Sequence, residues 1–120
     1  MPRVTMFFDP TKENFGSELL HQIGLGVIPL VAQATSTEDV PLTNKDIEWI
    51  PQPYPPGSII SGRINFDIET IGFLSRKVKL NKETMLKLKE QILAFNCFAT
   101  MKPEEISIWV KFYDADGVHV

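Results

Sequence analysis

Few side chains in this sequence belong to the types that most often carry out catalysis. It contains two histidines and one cysteine, which cannot form a standard structural zinc site. No histidine or aspartate follows Cys97 at a catalytic spacing, so we interpret Cys97 as a buried thiol. We interpret His21 as a surface or boundary residue of a helix, and His119 lies in the C-terminal tail. The sequence therefore predicts no metal site and no cofactor.

Familiar catalytic motifs are also missing from the sequence. It contains no GxGxxG, P-loop, HExxH or GxSxG pattern, so nucleotide-binding, zinc-protease and serine-hydrolase functions have no motif in their favour. The 12 lysines and arginines and the 15 aspartates and glutamates give a net charge of -3. Nucleic-acid binding requires a basic patch or stripe, so we expect no nucleic-acid partner.

The remaining candidates for chemistry are basic residues. Arg63 is expected to form a salt bridge with Asp67 or Glu69, either between strands or between subunits. Three further basic residues form a cluster before a predicted helix: Arg76, Lys77 and Lys79. This cluster is expected to be a solvated crossover between two elements, and by itself it does not indicate a ligand.

The size of the chain indicates one domain. With 120 residues, of which 43% are hydrophobic, residues 1–120 are predicted to form a single domain with one core. One cysteine excludes an internal disulfide and suits a reducing compartment. No apolar run reaches the ~18 residues of a membrane span, and the N-terminus has no secretory signal. We therefore expect a cytoplasmic protein without a membrane partner.

The first half of the chain, about residues 1–58, begins with a predicted strand. Residues 2–8 alternate with a period of two, which places Val4, Met6 and Phe8 on one face. A period of two is typical of a strand that is buried on one side.

A helix and a short second strand complete this half. Apolar residues recur at helical spacing between residues 15 and 34, with Thr11 as the expected N-cap. Pro29 should kink or divide this helix. Residues 46–50 are a short β-type run, and the prolines of residues 51–57 are expected to form a stiff loop that does not join a central ladder.

The second half, about residues 59–120, predicts the same order of elements. Residues 59–71 form the clearest strand region, with Ile64, Phe66 and Ile68 on one face. Asn81 is the expected N-cap of the next helix. The apolar stripe of that helix follows at regular spacing: Met85, Leu88, Ile92 and Phe95. A turn at residues 102–105 leads to a last strand that begins at residue 106, and a short tail from residue 114 contains Gly117.

Strand, helix and strand thus occur twice, as in two βαβ units. Such a unit within one sheet implies a right-handed crossover between parallel strands. A single core requires both helices to cover the same face of the sheet. The predicted fold class is α/β, in the sense of an α+β sandwich, with a mixed four-stranded sheet and two helices on one face.

The other face of this sheet is predicted to be uncovered within one chain. It combines charged side chains with Trp109 and Tyr113. A face of this kind is either solvated or covered by another subunit. We expect an oligomer, since closed homo-oligomers are common, with both aromatic residues in interface packing.

These features together resemble the tautomerase superfamily, which contains 4-oxalocrotonate tautomerase, 5-carboxymethyl-2-hydroxymuconate isomerase and macrophage migration inhibitory factor. A proline follows the initiator methionine, a strand begins there, and two βαβ halves follow in about 120 residues. Residues 109–114 resemble the last strand of the migration-inhibitory-factor branch, and Thr70-Ile71-Gly72 falls where that branch has a similar triplet. Pro29 and the proline-rich residues 51–57 depart from the pattern.

The resemblance implies a homotrimer whose sheets form a central barrel, with an active site between subunits. It implies that Pro2, once Met1 is removed, acts as the acid or base on a small keto–enol carboxylic acid. It assigns Lys45 as the cation that binds the substrate. It also assigns three pocket-wall positions: Ile71, Trp109 and Lys111.

Two of these wall positions differ from the family pattern. Trp109 stands where a phenol is common, so a hydroxyl donor is expected to be missing. Lys111 stands where a neutral amide can occur, so the pocket is expected to be more cationic.

The chemistry that the resemblance implies is physically reasonable. An α-amino group titrates near ~7.7–8.0 in peptides, and a proline amine is intrinsically more basic. An apolar pocket formed by Phe7, Ile71 and Trp109 would disfavour its charged form, as would a nearby lysine. Lys45 or Lys111 would also hold a substrate carboxylate and stabilise an enolate.

Other hypotheses remain open at this point. While Met1 is present, the Pro2 nitrogen is an amide without basicity, and the protein would then be a non-enzymatic oligomer or ligand-binding protein of the same fold. Lys45 would then be a solvated connector lysine. A third hypothesis is an unrelated ferredoxin-like α/β domain that binds a ligand or a partner through its open sheet face.

Overall fold

The computed structural model describes residues 2–58 and 63–113. Its strands are β1 (Arg3–Phe8), β2 (Glu48–Pro53), β3 (Ile64–Ile71) and β4 (Ile106–Tyr113). Its helices are α1 (Ser17–Thr35), α2 (Leu74–Lys79) and α3 (Lys82–Leu93). The predicted tail from residue 114, and residues 59–62 of the strand predicted at residues 59–71, lie outside the described residues.

The four strands form one mixed sheet in the order β2-β1-β3-β4. β1 pairs with β2 in parallel, β3 pairs with β4 in parallel, and the central strands β1 and β3 are antiparallel. Each half of the chain therefore supplies one parallel pair, as its βαβ pattern predicts. The predicted fold class is confirmed.

The core lies between the sheet and the helices. The side chains that alternate inward from the central strands are buried, as the period of two predicts: Val4, Met6, Phe8, Ile64, Phe66 and Ile68. One stripe of each long helix covers them: Ile23, Val27 and Val31 from α1, and Leu88 and Ile92 from α3. Hydrophobic burial on this single face stabilises the sheet and holds its strand ends in place.

The prediction that the prolines would leave the sheet after residue 50 was wrong. Pro51 and Pro53 belong to β2, where they pair with Met6 and Phe8. The reason is their position on an edge strand. Glu48 N–H donates to the Pro2 carbonyl and Tyr54 N–H donates to the Phe8 carbonyl, so the even-numbered residues of β2 direct their N–H groups toward β1. The prolines occupy odd-numbered positions, where no ladder hydrogen bond is lost.

The predicted start of the first helix was also wrong, and so was the division that was one of the two predicted effects of Pro29. α1 begins at Ser17 with Gly16 as its N-cap, whereas Thr11 donates its backbone N–H and its hydroxyl to the Asp9 carboxylate. Residues 9–12 form a turn instead of a cap. The helix continues through Pro29, which lies on the exposed side, where water can solvate the carbonyl that loses its helical partner.

The second long helix begins as its sequence predicts. Asn81 caps α3, with its side-chain oxygen accepting the Thr84 N–H at 2.9 Å. The predicted turn at residues 102–105 contains a short 3₁₀ helix, Pro103–Glu105. No helix among residues 2–58 and 63–113 has the length and apolar character needed to cross a membrane.

Candidate active site

Pro2 lies at the end of the sheet where β1 begins. Because β1 pairs with β3 through Arg3 and Glu69, continuing the register places Pro2 opposite Thr70. Its carbonyl accepts the N–H of Glu48 at 3.0 Å, which holds it against the start of β2. Pro2 is buried. Its position continues the alternation of Val4 and Met6, so its ring belongs to the helix-covered side of the sheet.

Two of the other residues assigned by the resemblance lie at this same end. Lys45 is exposed in the short 3₁₀ helix Asn44–Asp46, immediately before β2. Ile71 is the last residue of β3, which runs antiparallel to β1 and therefore ends where β1 begins. The topology thus brings Pro2, Lys45 and Ile71 to one edge of the molecule.

Trp109 and Lys111 are not brought to Pro2 within one chain. Both lie on β4, opposite Asp67 and Glu69 of β3, and β4 is two strands away from β1, about 10 Å. Side chains alternate along β4, and Trp109 and Lys111 lie on the face opposite to the buried Ile106. This is the open face of the sheet, where Trp109 is 64% exposed. Lys111 Nζ lies 3.5 Å from the Asp67 carboxylate. A pocket that contains these residues together with Pro2 requires a second copy of the chain.

A polar cluster occupies the open face beside Pro2. Arg3 Nε lies 3.3 Å from the Glu48 carboxylate, and the Tyr113 hydroxyl donates to Glu69 at 2.7 Å. These four residues line a cavity of about 190 Å³. The hydrogen bond to Glu69 raises the pKa of Tyr113, since it favours the protonated phenol. A phenol hydroxyl is therefore present at this end of the sheet, supplied by Tyr113 at the end of β4.

Arg76 is the feature of this region that the sequence did not predict. The basic cluster forms α2, and instead of being solvated Arg76 is only 2% exposed. Its Nε donates to the Thr35 carbonyl at 2.9 Å, and its Nη1 donates to Thr70 Oγ1 at 2.7 Å and to the Ile71 carbonyl at 3.3 Å. Burial lowers the pKa of the guanidinium. The expectation that this residue is solvated was wrong, because α2 turns it toward the core.

No sequence signal marks Arg76 as buried. On α2 the two apolar residues Leu74 and Val78 are 78% and 66% exposed, and the arginine faces inward. This is the reverse of the usual pattern for a helix at a surface. The burial of Arg76 becomes visible only in the structure, where α2 packs against the end of β3 and the end of α1.

Arg63 forms an ion-pair network with partners other than those expected. Its Nε lies 2.5 Å from the carboxylate of Glu13, which is buried, and its Nη1 lies 3.2 Å from that of Glu105. The expected partners Asp67 and Glu69 lie further along β3, whereas Arg63 comes just before the strand. The hydrogen bonds to Glu13 and, to a smaller extent, to Glu105 raise the pKa of Arg63. This network lies at the end of the sheet opposite to Pro2 and ties the β1–α1 connection to the start of β3.

The candidates for nucleophilic or metal chemistry lie away from Pro2. Cys97 follows α3 and is half-buried, less buried than expected, and desolvation raises its pKa. His21 is exposed on α1, as expected. Within the described ranges, no three His, Cys, Asp or Glu side chains lie close enough together to hold a metal ion.

Solved structures with a similar fold are known, although their sequences differ widely from this one. No protein-family model and no curated protein matches the sequence. Among solved structures, a fused 4-OT asymmetric trimer is similar over 98% of this chain and 91% of that chain, with a TM-score of 0.67 and 10% sequence identity. A macrophage migration inhibitory factor-like protein from Entamoeba histolytica is similar over 99% of this chain and 94% of that chain, with a TM-score of 0.65 and 11% identity.

A third similar structure is a malonate semialdehyde decarboxylase, described with decarboxylase and hydratase activities. It covers 96% of this chain and 88% of that chain, with a TM-score of 0.63 and 9% identity. The predicted resemblance is thus confirmed in the fold: this chain has the tautomerase-superfamily fold. The ferredoxin-like alternative is not favoured, since the similarity extends over nearly the whole chain.

Proposed function

We propose that this protein is a tautomerase-like enzyme in which Pro2, freed by removal of Met1, transfers a proton on a small keto–enol carboxylic acid. The observation that supports this most directly is the position of Pro2 on a tautomerase fold. It is buried at the sheet end where β1, the start of β2 and the end of β3 meet. Burial disfavours the charged amine and so leaves a base at neutral pH.

The proposed active site is completed by a second copy of the chain in a homotrimer. Two of the structures with this fold are described as asymmetric trimers. Lys45 and Ile71 come from the same chain as Pro2, and Trp109 and Lys111 come from a neighbour. Lys45 or Lys111 holds the substrate carboxylate and stabilises the enolate that forms. The single cysteine supports a cytoplasmic location for this enzyme.

The experiment begins with the intact mass of the untagged protein, which is expected to lack Met1. Turnover of phenylpyruvate and of 2-hydroxymuconate is then measured for wild type and for Pro2→Ala. A general acid or base typically contributes about 10²–10⁴-fold to the rate, and we expect Pro2→Ala to reduce kcat/KM by that factor.

Pro10→Ala is the matched control, because Pro10 is exposed in the turn at the far end of β1. It should leave kcat/KM unchanged. Retention of Met1, or equal rates for wild type and Pro2→Ala, would overturn the proposal and favour a non-enzymatic oligomer or ligand-binding protein of this fold.

A further inference from the structure

We propose that the cavity between the start of α1 and the chain segment that follows α3 binds an uncharged, planar aromatic ligand. The cavity has a volume of about 320 Å³, which is within the ~300–1,000 Å³ typical of small-molecule sites. Four residues of α1 line it together with residues 95–97: Leu19, Gln22, Ile23 and Gly26. None of these residues belongs to the proposed active site, so the inference does not depend on the proposed function.

The cavity lies at the end of the molecule opposite to Pro2. The centroid of the Phe15 ring lies 5.5 Å from that of Phe8, at the far end of β1, and 6.5 Å from that of Phe98. The Phe98 ring in turn lies 6.2 Å from the ring of Phe95, which borders the cavity. A ligand held here therefore leaves Pro2 free, and the cavity is a second site.

The lining of the cavity carries no charge, although 22% of the residues of the chain are charged. Its polar side chains are the amides of Gln22 and Asn96 and the thiol of Cys97. Desolvation raises the pKa of Cys97, which keeps this thiol neutral. A charged ligand that leaves water for such a lining finds no opposite charge to offset its desolvation. The cavity is therefore suited to a neutral ligand, in contrast to the carboxylic acid proposed for the Pro2 site.

One wall of the cavity is the ring of Phe95, which is held from two sides. The ring lies parallel to that of Phe98, with an angle of 15° between the two planes. Its edge lies against Gly26, where a Cβ would be only 3.0 Å from Cζ of Phe95. Within residues 2–58 and 63–113, Phe98 is the one aromatic ring in contact with Phe95. The second face of the Phe95 ring is thus available, and a planar aromatic ligand can stack on it.

Another wall of the cavity is aliphatic, and its rim is polar. Ile23 is buried, and Leu19 is 37% exposed. Gln22 and Asn96 are exposed at the rim, where each amide offers both donors and an acceptor. An aromatic ring that carries one N–H or O–H group satisfies both parts of this lining, with the ring inside the cavity and the polar group at the rim.

The test uses indole as the probe, since it is planar, uncharged and carries one N–H group. The readout is Cys97, the single cysteine of the sequence, whose side chain borders the cavity. Its modification by iodoacetamide is followed by intact mass in alkaline solution, where the thiol reacts and indole stays neutral. An indole concentration of about nine times its Kd should slow the modification about tenfold, because only the free protein reacts. No protection by indole would overturn the inference.

Two further probes test the chemistry of the ligand on the wild-type protein. Indole-3-acetate keeps the ring and adds a carboxylate, whereas cyclohexanol keeps an apolar body and a hydroxyl without a flat ring. We expect both to protect Cys97 only at concentrations about tenfold higher than indole. Equal protection by indole-3-acetate would overturn the assignment to a neutral ligand, and equal protection by cyclohexanol would overturn the assignment to an aromatic one.

A pair of matched variants tests the position of the ligand. Leu19→Asp places a charge in the lining and should raise the Kd of indole about tenfold or more. Leu25→Asp is the control, because Leu25 is 53% exposed on the same helix and does not border the cavity. An unchanged Kd in Leu19→Asp, or an equal change in both variants, would overturn the inference. If Leu19→Asp does not fold, the three probes on the wild-type protein still decide the question.

Discussion

Cys97 shows at the scale of one residue how burial controls reactivity in this chain. It is half-buried in a cavity beside Phe95, and desolvation raises its pKa above the ordinary value of 9.0. A protonated thiol is a poor nucleophile, so we expect slow modification by iodoacetamide at neutral pH. The rate should rise to half its maximum only above pH 9.

The urea-unfolded protein provides the control, because the same thiol is then solvated and titrates near its ordinary value. The assignment would be contradicted if the pH of half-maximal rate in the folded protein were equal to or lower than that in the unfolded chain. Cys97 would then be an activated thiol that the fold has placed for chemistry.

The role of a single residue can be predicted from the sequence when its partner is close along the chain. The cap formed by Asn81 depends on a residue three positions away, and such a contact is encoded in the sequence itself. Arg76 contacts Thr35, which lies 41 positions away along the chain, and the Glu13 partner of Arg63 is 50 positions away. Contacts of this kind exist only once the fold has formed, so the buried arginine could not be found from its neighbours.

At the scale of elements, the periodicity of hydrophobic residues was sufficient for the strands and for both long helices. It was insufficient for the prolines, because periodicity does not say which strand lies at an edge. Pro51 was excluded from the sheet on the assumption of a central ladder, and the strand order then placed β2 at the edge. Of the candidate site residues, Pro2, Lys45 and Ile71 lie at one end of the sheet, and their roles stay predictions. The burial of Arg76 and the position of the Tyr113 phenol were found only in the structure.

The contact between α1 and β2 leads to a prediction about Gly24. A Cβ at this position would lie 2.5 Å from Nε1 of Trp49 and 2.6 and 2.8 Å from its ring atoms Cδ1 and Cε2. The ring is packed against Phe66 and its Nε1 is buried without a partner in the described structure. We expect Gly24→Ala to destabilise the protein by about 1–3 kcal/mol, despite the better helix propensity of alanine, because the core is overpacked.

Urea denaturation of both forms measures this difference. Gln22→Ala is the matched control, since Gln22 is exposed on the same helix, and it should change the free energy of unfolding by no more than about 0.5 kcal/mol. A Gly24→Ala variant as stable as wild type would show that α1 and β2 can move apart freely at this contact.

At the scale of the whole molecule, the open sheet face determines the expected assembly. Trp109 lies 64% exposed on this face, near the Lys111–Asp67 pair. Light scattering should give a particle of three chains, each of 13.6 kDa. Trp109→Arg would place an unpaired charge inside the proposed interface, which costs several kcal/mol when buried, so this variant should shift toward the monomer.

Leu25→Arg is the matched control for assembly. Leu25 is 53% exposed on the helix layer, away from the sheet face, and its replacement should leave the trimer intact. A monomeric wild type would contradict the prediction, and equal dissociation of both variants would show that the open face is not the contact surface.

The prolines of β2 have a consequence for how this protein avoids uncontrolled aggregation. They occupy the positions whose backbone nitrogens point away from β1, so the outer border of the sheet lacks hydrogen-bond donors at residues 51 and 53. An incoming strand finds too few donors there to add itself. The other border of the described sheet is β4, which contains no proline. An amyloid fibril grows by adding strands at both edges of a sheet, and the prolines of β2 disfavour this addition at one edge. They do not hinder an assembly that buries the face of the sheet.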